Sequence, residues 1–126
     1  MKELTKAEEQ VMQILWEVEK GFVKDIIERM PEPKPAYTTI ATIFKILEKK
    51  GFVAHEEYGK MHRFFPLVQK DVYAREFLQG VAKNYFNSSL RKIASFFVED
   101  NDLSIAELEE IKKIMDREIK SRKETK

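Results

Sequence analysis

The chain has 126 residues, 43% of them apolar, enough to build one domain or two small lobes around a core. Lys+Arg 23 against Asp+Glu 22 leaves a formal net charge of +1, so overall basicity does not advertise a nucleic-acid partner, and the absence of cysteine excludes disulfides, thiolate metal sites, iron–sulfur clusters and a cysteine nucleophile. The N-terminal sequence has no apolar signal region and no run approaches the roughly 18 apolar residues of a membrane span, so a soluble, cytoplasmic protein is expected.

Thr5-x-x-Glu8 has the spacing of a capping box, and Ala7, Val11, Ile14, Leu15 and Val18 recur at helical intervals, predicting a helix over 5–19 that stops before Gly21. Val23, Ile26, Ile27 and Met30 predict a shorter second helix, ended by Pro31, Pro33 and Pro35, with a loop over 31–36. Ile40, Ile43, Phe44 and Leu47 are the inner stripe of a third helix that starts near Tyr37-Thr38 and ends at Lys49-Lys50, with Gly51 as its C′ residue. Segments 52–57 and 61–67 have β-type composition and flank the turn Tyr58-Gly59-Lys60, so a hairpin is expected, with Pro66 at its exit. From Asp71 onward three further helical stripes follow: Val72, Phe77, Leu78, Val81 and Tyr85; then Leu90, Ile93, Ala94, Phe97 and Val98; then Ile105, Leu108, Ile111, Ile114, Met115 and Ile119.

Three helices followed by a hairpin is the order of a winged helix-turn-helix, in which the third helix enters the major groove and the hairpin lies on the flanking backbone. The fold expected is therefore mainly α with a small β-hairpin: a winged helix-turn-helix domain over residues 1–69 and a helical dimerisation domain over 70–126. The outward residues of the third helix are Thr38, Thr39, Ala41, Thr42, Lys45, Ile46 and Lys49. Short polar groups near the helix start suit base edges, which assigns Thr38, Thr39 and Thr42 to bases; cations further along suit phosphates, which assigns Lys45 and Lys49, with Lys60 and Arg63 from the wing, to the backbone. Over residues 34–66 the formal charge is +3 and over 1–33 it is −3, so near neutrality averages two opposite regions. Threonines at a helix start also serve as caps and exposed lysines as mere solvation; the coincidence with helix order and wing favours the DNA reading. Ile46 is expected to be partly packed against the hairpin or the first helix.

Leu4-Thr5-x-Ala7-Glu8-x-x-Val11-Met12-x-Ile14-Leu15-Trp16, then Tyr37-Thr38-Thr39-Ile40-x-Thr42, Leu47-Glu48-Lys49-Lys50-Gly51-Phe52-Val53, and Tyr58-Gly59-Lys60 leading to Arg63-Phe64-x-Pro66-Leu67-Val68 resemble the penicillinase-repressor (BlaI/MecI) family. Phe97-Val98-Glu99 followed by Asp102-Leu103-Ser104 and a Glu-rich helix extends the resemblance into the C-terminal part. The resemblance implies a homodimeric, cytoplasmic repressor that binds a dyad operator of double-stranded DNA before β-lactamase or related genes. It also implies relief by a signal-activated protease that cuts within the dimerisation helices. The matching stretch is Ser95-Phe96-Phe97-Val98, with Phe96 where the family's usual asparagine stands, so Phe96 and Phe97 mark the candidate cleavage region without the usual scissile pair. Ala41 and Ile46 stand where some members carry basic residues. A copper-responsive branch senses metal through C-terminal cysteines, which this chain lacks.

The last helix carries more apolar stripe than a lobe of about 55 residues covers alone, so a second copy is expected to cover it, with Phe77, Phe97, Leu108, Ile111, Ile114 and Met115 in the dimer interface. No catalytic constellation emerges, and no cofactor or enzymatic activity is expected. His55 and His62 face each other across the hairpin with Glu56 and Glu57 nearby, but consecutive strand residues point to opposite faces and no third ligand of suitable spacing is evident, so no metal site is expected. Ser88, Ser89 and Ser95 lack a neighbouring base, and Asp100, Asp102, Glu107, Glu109 and Glu110 read as solvated. The alternative function is a winged-helix protein-interaction module that has lost DNA binding.

Overall fold

The computed structural model describes residues 3–99 and 102–125; Asp100, read above as solvated, lies outside them. The elements are α1 (Lys6–Val18), β1 (Gly21–Phe22), α2 (Val23–Glu28), α3 (Tyr37–Lys49), β2 (Val53–Tyr58), β3 (Met61–Pro66), α4 (Lys70–Phe86), α5 (Leu90–Val98) and α6 (Ile105–Thr125). The expected order of three helices, hairpin and three helices is present. Added to it is β1, which pairs antiparallel with β3 to make a three-stranded sheet of order β1-β3-β2. The chain divides into two compact units, Met1–Phe77 and Leu78–Lys126.

In the first unit, the Thr5 hydroxyl accepts from the Glu8 N–H (3.2 Å) and the Glu8 carboxylate accepts from the Thr5 N–H (2.9 Å), completing the capping box of α1. Gly21 does not terminate α1. Glu19 takes that role with φ 71°, and Gly21 enters the sheet opposite Phe64, where an added Cβ would stand 3.5 Å from the side chains of Val18 and Ile26. The end of α3 is a Schellman turn: Phe52 N–H donates to Leu47 C=O (2.9 Å), Gly51 N–H to Glu48 C=O (3.1 Å), and Gly51 has φ 85°. Phe52 and Leu47 are both buried, so the same turn that stops the helix seals the core.

Val11, Met12, Leu15, Ile26, Phe44, Leu47, Phe52 and Val53 are the fully buried centre of this unit. This unit extends to Phe77, and the first turn of α4 packs inward. Tyr73 lies 5.9 Å from Trp16 and 5.8 Å from Phe52, ring centre to ring centre, and the Trp16 indole N–H donates to Val68 C=O (2.9 Å). Burial there lifts the pKa of the Tyr73 phenol, against a backbone hydrogen bond with Leu4.

Among the described residues, one charge sits in this core. Glu8 is 4% exposed, and the same carboxylate oxygen that caps α1 accepts from the Lys50 ammonium at 2.6 Å, joining the start of α1 to the end of α3. Burial alone would raise the Glu8 pKa, but the Lys50 hydrogen bond and the Thr5 N–H outweigh it and hold the carboxyl below its ordinary value.

The second unit holds the rest of α4 with α5 and α6. Ser89 caps α5 through the Lys92 N–H (3.2 Å), and Ser104 and Glu107 form a capping box at α6, both bonds 3.1 Å. Among the described residues none in α4, α5 or α6 is buried.

The Glu8–Lys50 pair generates a prediction readable through Trp16, the sole tryptophan and part of the first unit. Glu8→Ala strands Lys50 and the Thr5 N–H and lowers the unfolding free energy by about 1–3 kcal/mol in urea titrations followed by Trp16 fluorescence. Because the folded-state pKa is depressed, the pair's stabilisation is present above the unfolded value of about 4.3 and is lost as pH falls through the lowered folded value. Glu8→Gln is therefore expected to flatten the loss of stability on that acid limb.

Candidate nucleic-acid interface

Three prolines end α2 and force the chain to restart at Ala36, whose extended backbone (φ −68°, ψ 148°) is the N-cap of α3. Ala36 has no capping side chain, and its carbonyl accepts from the N–H groups of Thr39 (3.1 Å) and Ile40 (3.3 Å). Thr38 and Thr39 thus stand inside the first turn with exposed side chains and are not caps. Lys34 fixes the loop from behind, donating to the carbonyls of Ile27 (3.3 Å), Glu28 (3.0 Å) and Met30 (2.8 Å) at the end of α2.

Burying Ile40, Phe44 and Leu47 turns the opposite side of α3 to solvent. Thr38, Thr42, Lys45 and Lys49 follow at i, i+4, i+7 and i+11 and form one exposed stripe, polar and uncharged at its start and cationic at its end. The Thr42 hydroxyl donates to Thr38 C=O (2.8 Å), which leaves its lone pairs outward. Thr39 lies to one side, facing a groove with Ala7, Gln10 and the proline loop. Ile46 is exposed on the outer face and not packed as expected; its position faces away from the core stripe.

On the other side, α3 and the hairpin bound an open groove of about 460 Å³, into which Tyr37, Ala41, Lys45, Lys49 and the wing-tip Lys60 converge. The two-residue loop Gly59-Lys60 sets the register Tyr58↔Met61, Glu57↔His62, Glu56↔Arg63 and His55↔Phe64. Alternation then places His55, Glu57, His62 and Phe64 on the face toward α3, where Phe64 stacks on Phe44 at 4.2 Å with the rings 15° apart. His55 Nδ1 meets both oxygens of Glu48 on α3, at 2.6 and 2.9 Å. Arg63 lies on the opposite face, apart from Lys45, Lys49 and Lys60: its guanidinium stacks 4.7 Å from the Tyr58 ring centre, donates to the Tyr58 hydroxyl (2.7 Å) and reaches Glu56 at 3.5 Å. Lys20 also reaches Glu56 (3.0 Å), and this hydrogen bond, with the two nearby cations, lowers the Glu56 pKa. Of the cations summed over 34–66, Lys34 and Lys50 are thus occupied by the fold; Lys45, Lys49 and Lys60 line the groove.

The penicillinase-repressor family model matches residues 4–117. The chain belongs to the penicillinase-repressor family. The methicillin resistance regulatory protein MecI of Staphylococcus aureus (strain N315) is 32% identical over 120 residues, 91% of this chain and 94% of that protein. The penicillinase repressor of Bacillus licheniformis is 23% identical over 123 residues, 97% of this chain and 96% of that protein. Among solved structures, the DNA-binding domain of the repressor BlaI superposes with a TM-score of 0.50 and 25% identity, covering 58% of this chain and 94% of that one. This is a transcriptional repressor with a winged-helix N-terminal unit and a helical C-terminal one. Among the described residues no helix is long and apolar enough to cross a membrane.

In the repressor's C-terminal part, Phe77 (54% exposed), Phe97 (53%), Ile114 (61%) and Met115 (55%) are open in the single chain, as is Ile111, while Leu108 is half-buried. Phe96 and Phe97 lie in the last two turns of α5; Phe96 packs edge-on against Phe86 at 5.8 Å and Phe97 at 6.0 Å.

Proposed function

We propose that this repressor binds a dyad operator as a homodimer, with α3 of each copy in the major groove. Thr38 and Thr42 meet base edges from the stripe and the exposed Thr39 from its margin beside the proline loop, and Lys45, Lys49, Lys60 and Arg63 meet phosphates. The observation that carries this reading is the exposed stripe Thr38–Thr42–Lys45–Lys49, free of core duty and flanked by the Lys60 wing tip. To serve as a phosphate contact, Arg63 exchanges its bond to Tyr58 for one to the backbone. The relatives named for methicillin resistance and penicillinase support antibiotic-resistance genes as the target class, in the cytoplasm.

The second unit's lack of a buried residue among those described supports dimerisation: Phe97, Leu108, Ile111, Ile114 and Met115, with the exposed Phe77 at the end of the first unit, find cover on a second copy. Two half-sites held by one dimer bind with an avidity neither has alone. Proteolysis in the stretch Phe96–Phe97 by a signal-activated protease separates α6 from its chain, dissolves the dimer and releases the operator.

Binding to a dyad duplex is expected to fall by about five log units per log unit of salt if roughly six phosphates are contacted. Lys45→Ala reduces that slope by about one and weakens all sequences alike, whereas Thr38→Val narrows the ratio of operator to random-sequence affinity by about tenfold. Salt-independent binding, or a ratio untouched by Thr38→Val together with Thr39→Val, contradicts the reading.

Sedimentation equilibrium is expected to give twice the 14.9 kDa chain mass. Ile114→Asp places a charge in the interface and raises the dimer dissociation constant at least about 100-fold, roughly 3 kcal/mol. A monomer at all concentrations contradicts the dimer.

A further inference from the structure

We propose that His55, Glu57 and His62 form a binding site for a borderline divalent transition-metal ion, zinc above all, on the wing face turned toward α3. The hairpin register creates it. Glu57 pairs directly with His62, and His55 stands two residues before Glu57 on the same face, so three ligating side chains converge although they are separated along the chain by the turn. The imidazole rings stack at 3.9 Å, only 4° from parallel. His55 Nε2 lies 4.0 Å and His62 Nε2 3.9 Å from the same oxygen of Glu57, and the candidate ligand atoms all fall within 4.8 Å of one another.

Zinc–nitrogen and zinc–oxygen bonds of about 2.1 Å place tetrahedral ligand atoms about 3.4 Å apart, so the cluster needs a contraction of roughly 1 Å. Glu57 and His62 supply it: their side chains are 71% and 44% exposed and turn without disturbing the core. His55 is the fixed member. A carboxylate only accepts hydrogen bonds, so the contact of His55 Nδ1 with Glu48 puts the proton of the neutral ring on Nδ1 and leaves the Nε2 lone pair free for a metal. Glu48 is thereby the outer carboxylate that orients a histidine ligand from behind. Two imidazoles and one carboxylate leave a fourth position for water. That donor set suits zinc, nickel or copper and not magnesium or calcium, which prefer all-oxygen shells. Glu48 lines the same groove as the cations Lys45, Lys49 and Lys60 and offsets part of their charge. The site belongs to the folded chain itself and does not depend on operator binding.

His55 and His62 are the only histidines in the protein, which makes the test specific to them. The full-length, untagged, chelator-stripped protein is titrated with zinc chloride by calorimetry, with magnesium chloride as the comparison, while the histidine ring protons are followed by NMR. The expected result is one zinc per chain, shifts of both histidine resonances and no response to magnesium. His62→Ala and Glu57→Gln each weaken zinc binding at least tenfold, and Glu48→Gln weakens it by roughly ten- to a hundredfold. The fold of each variant is verified by an unchanged Trp16 unfolding transition. Absence of zinc binding, or binding that His62→Ala and Glu57→Gln leave unaltered in folded protein, overturns the proposal.

Discussion

Phe44 and Phe64 stack face to face at 4.2 Å, and the relation between α3 and the hairpin rests on that contact. Phe44 belongs to the buried stripe of the helix whose opposite side is the candidate reading surface; Phe64 is the central residue of β3, paired with Gly21 on one side and His55 on the other. Fixing these two rings fixes the angle at which the wing meets the helix, and with it the groove where Lys45, Lys49 and Lys60 gather. The Schellman turn at Gly51 makes the arrangement economical, because the chain leaves α3 and enters β2 within three residues while Phe52 closes the core. Glu8 ties the start of α1 to Lys50 at this same junction, so three elements share one corner of the fold.

Much of this was legible in the sequence because the signals were local. The capping box at Thr5, the α3 stripe, the glycine at C′ and the hairpin composition each lie within a few residues and act through backbone geometry. What was not legible depends on long-range pairing. A two-residue strand such as β1 has no period to detect, and Gly21 read as a helix stop because nothing local announces its partner Phe64. Lys50 and Lys34 looked like part of a cationic face, but their partners Glu8 and the α2 carbonyls are revealed only by the folded chain. Ser104 and Glu107 carry the same spacing that identified α1, and the rule applied there would have found the start of α6.

The histidines illustrate how one residue of register matters. A three-residue turn at Tyr58-Gly59-Lys60 would set His62 opposite Glu56; the observed two-residue loop sets it opposite Glu57, on the face that also carries His55. The sequence therefore contained the ligands but not their convergence. Similarly, the stripe on α3 is sharper than the list of outward residues suggested: Thr38, Thr42, Lys45 and Lys49 align, Thr39 turns toward the proline loop, and Arg63 is held on the far side of the sheet by Tyr58 and Glu56.

The two units answer different physical demands. The first buries its apolar stripes within one chain; the second, among its described residues, exposes them, and the proposed dimer is the arrangement that would cover them. Hydroxyl-radical footprinting of the full-length protein on its own upstream region tests this account most directly. It predicts two symmetric protected patches, their centres one helical turn of about 10 base pairs apart or a multiple of it, each flanked by the wing's backbone contact. A single unsymmetric patch, or no protection at salt low enough for phosphate contacts to hold, would contradict it.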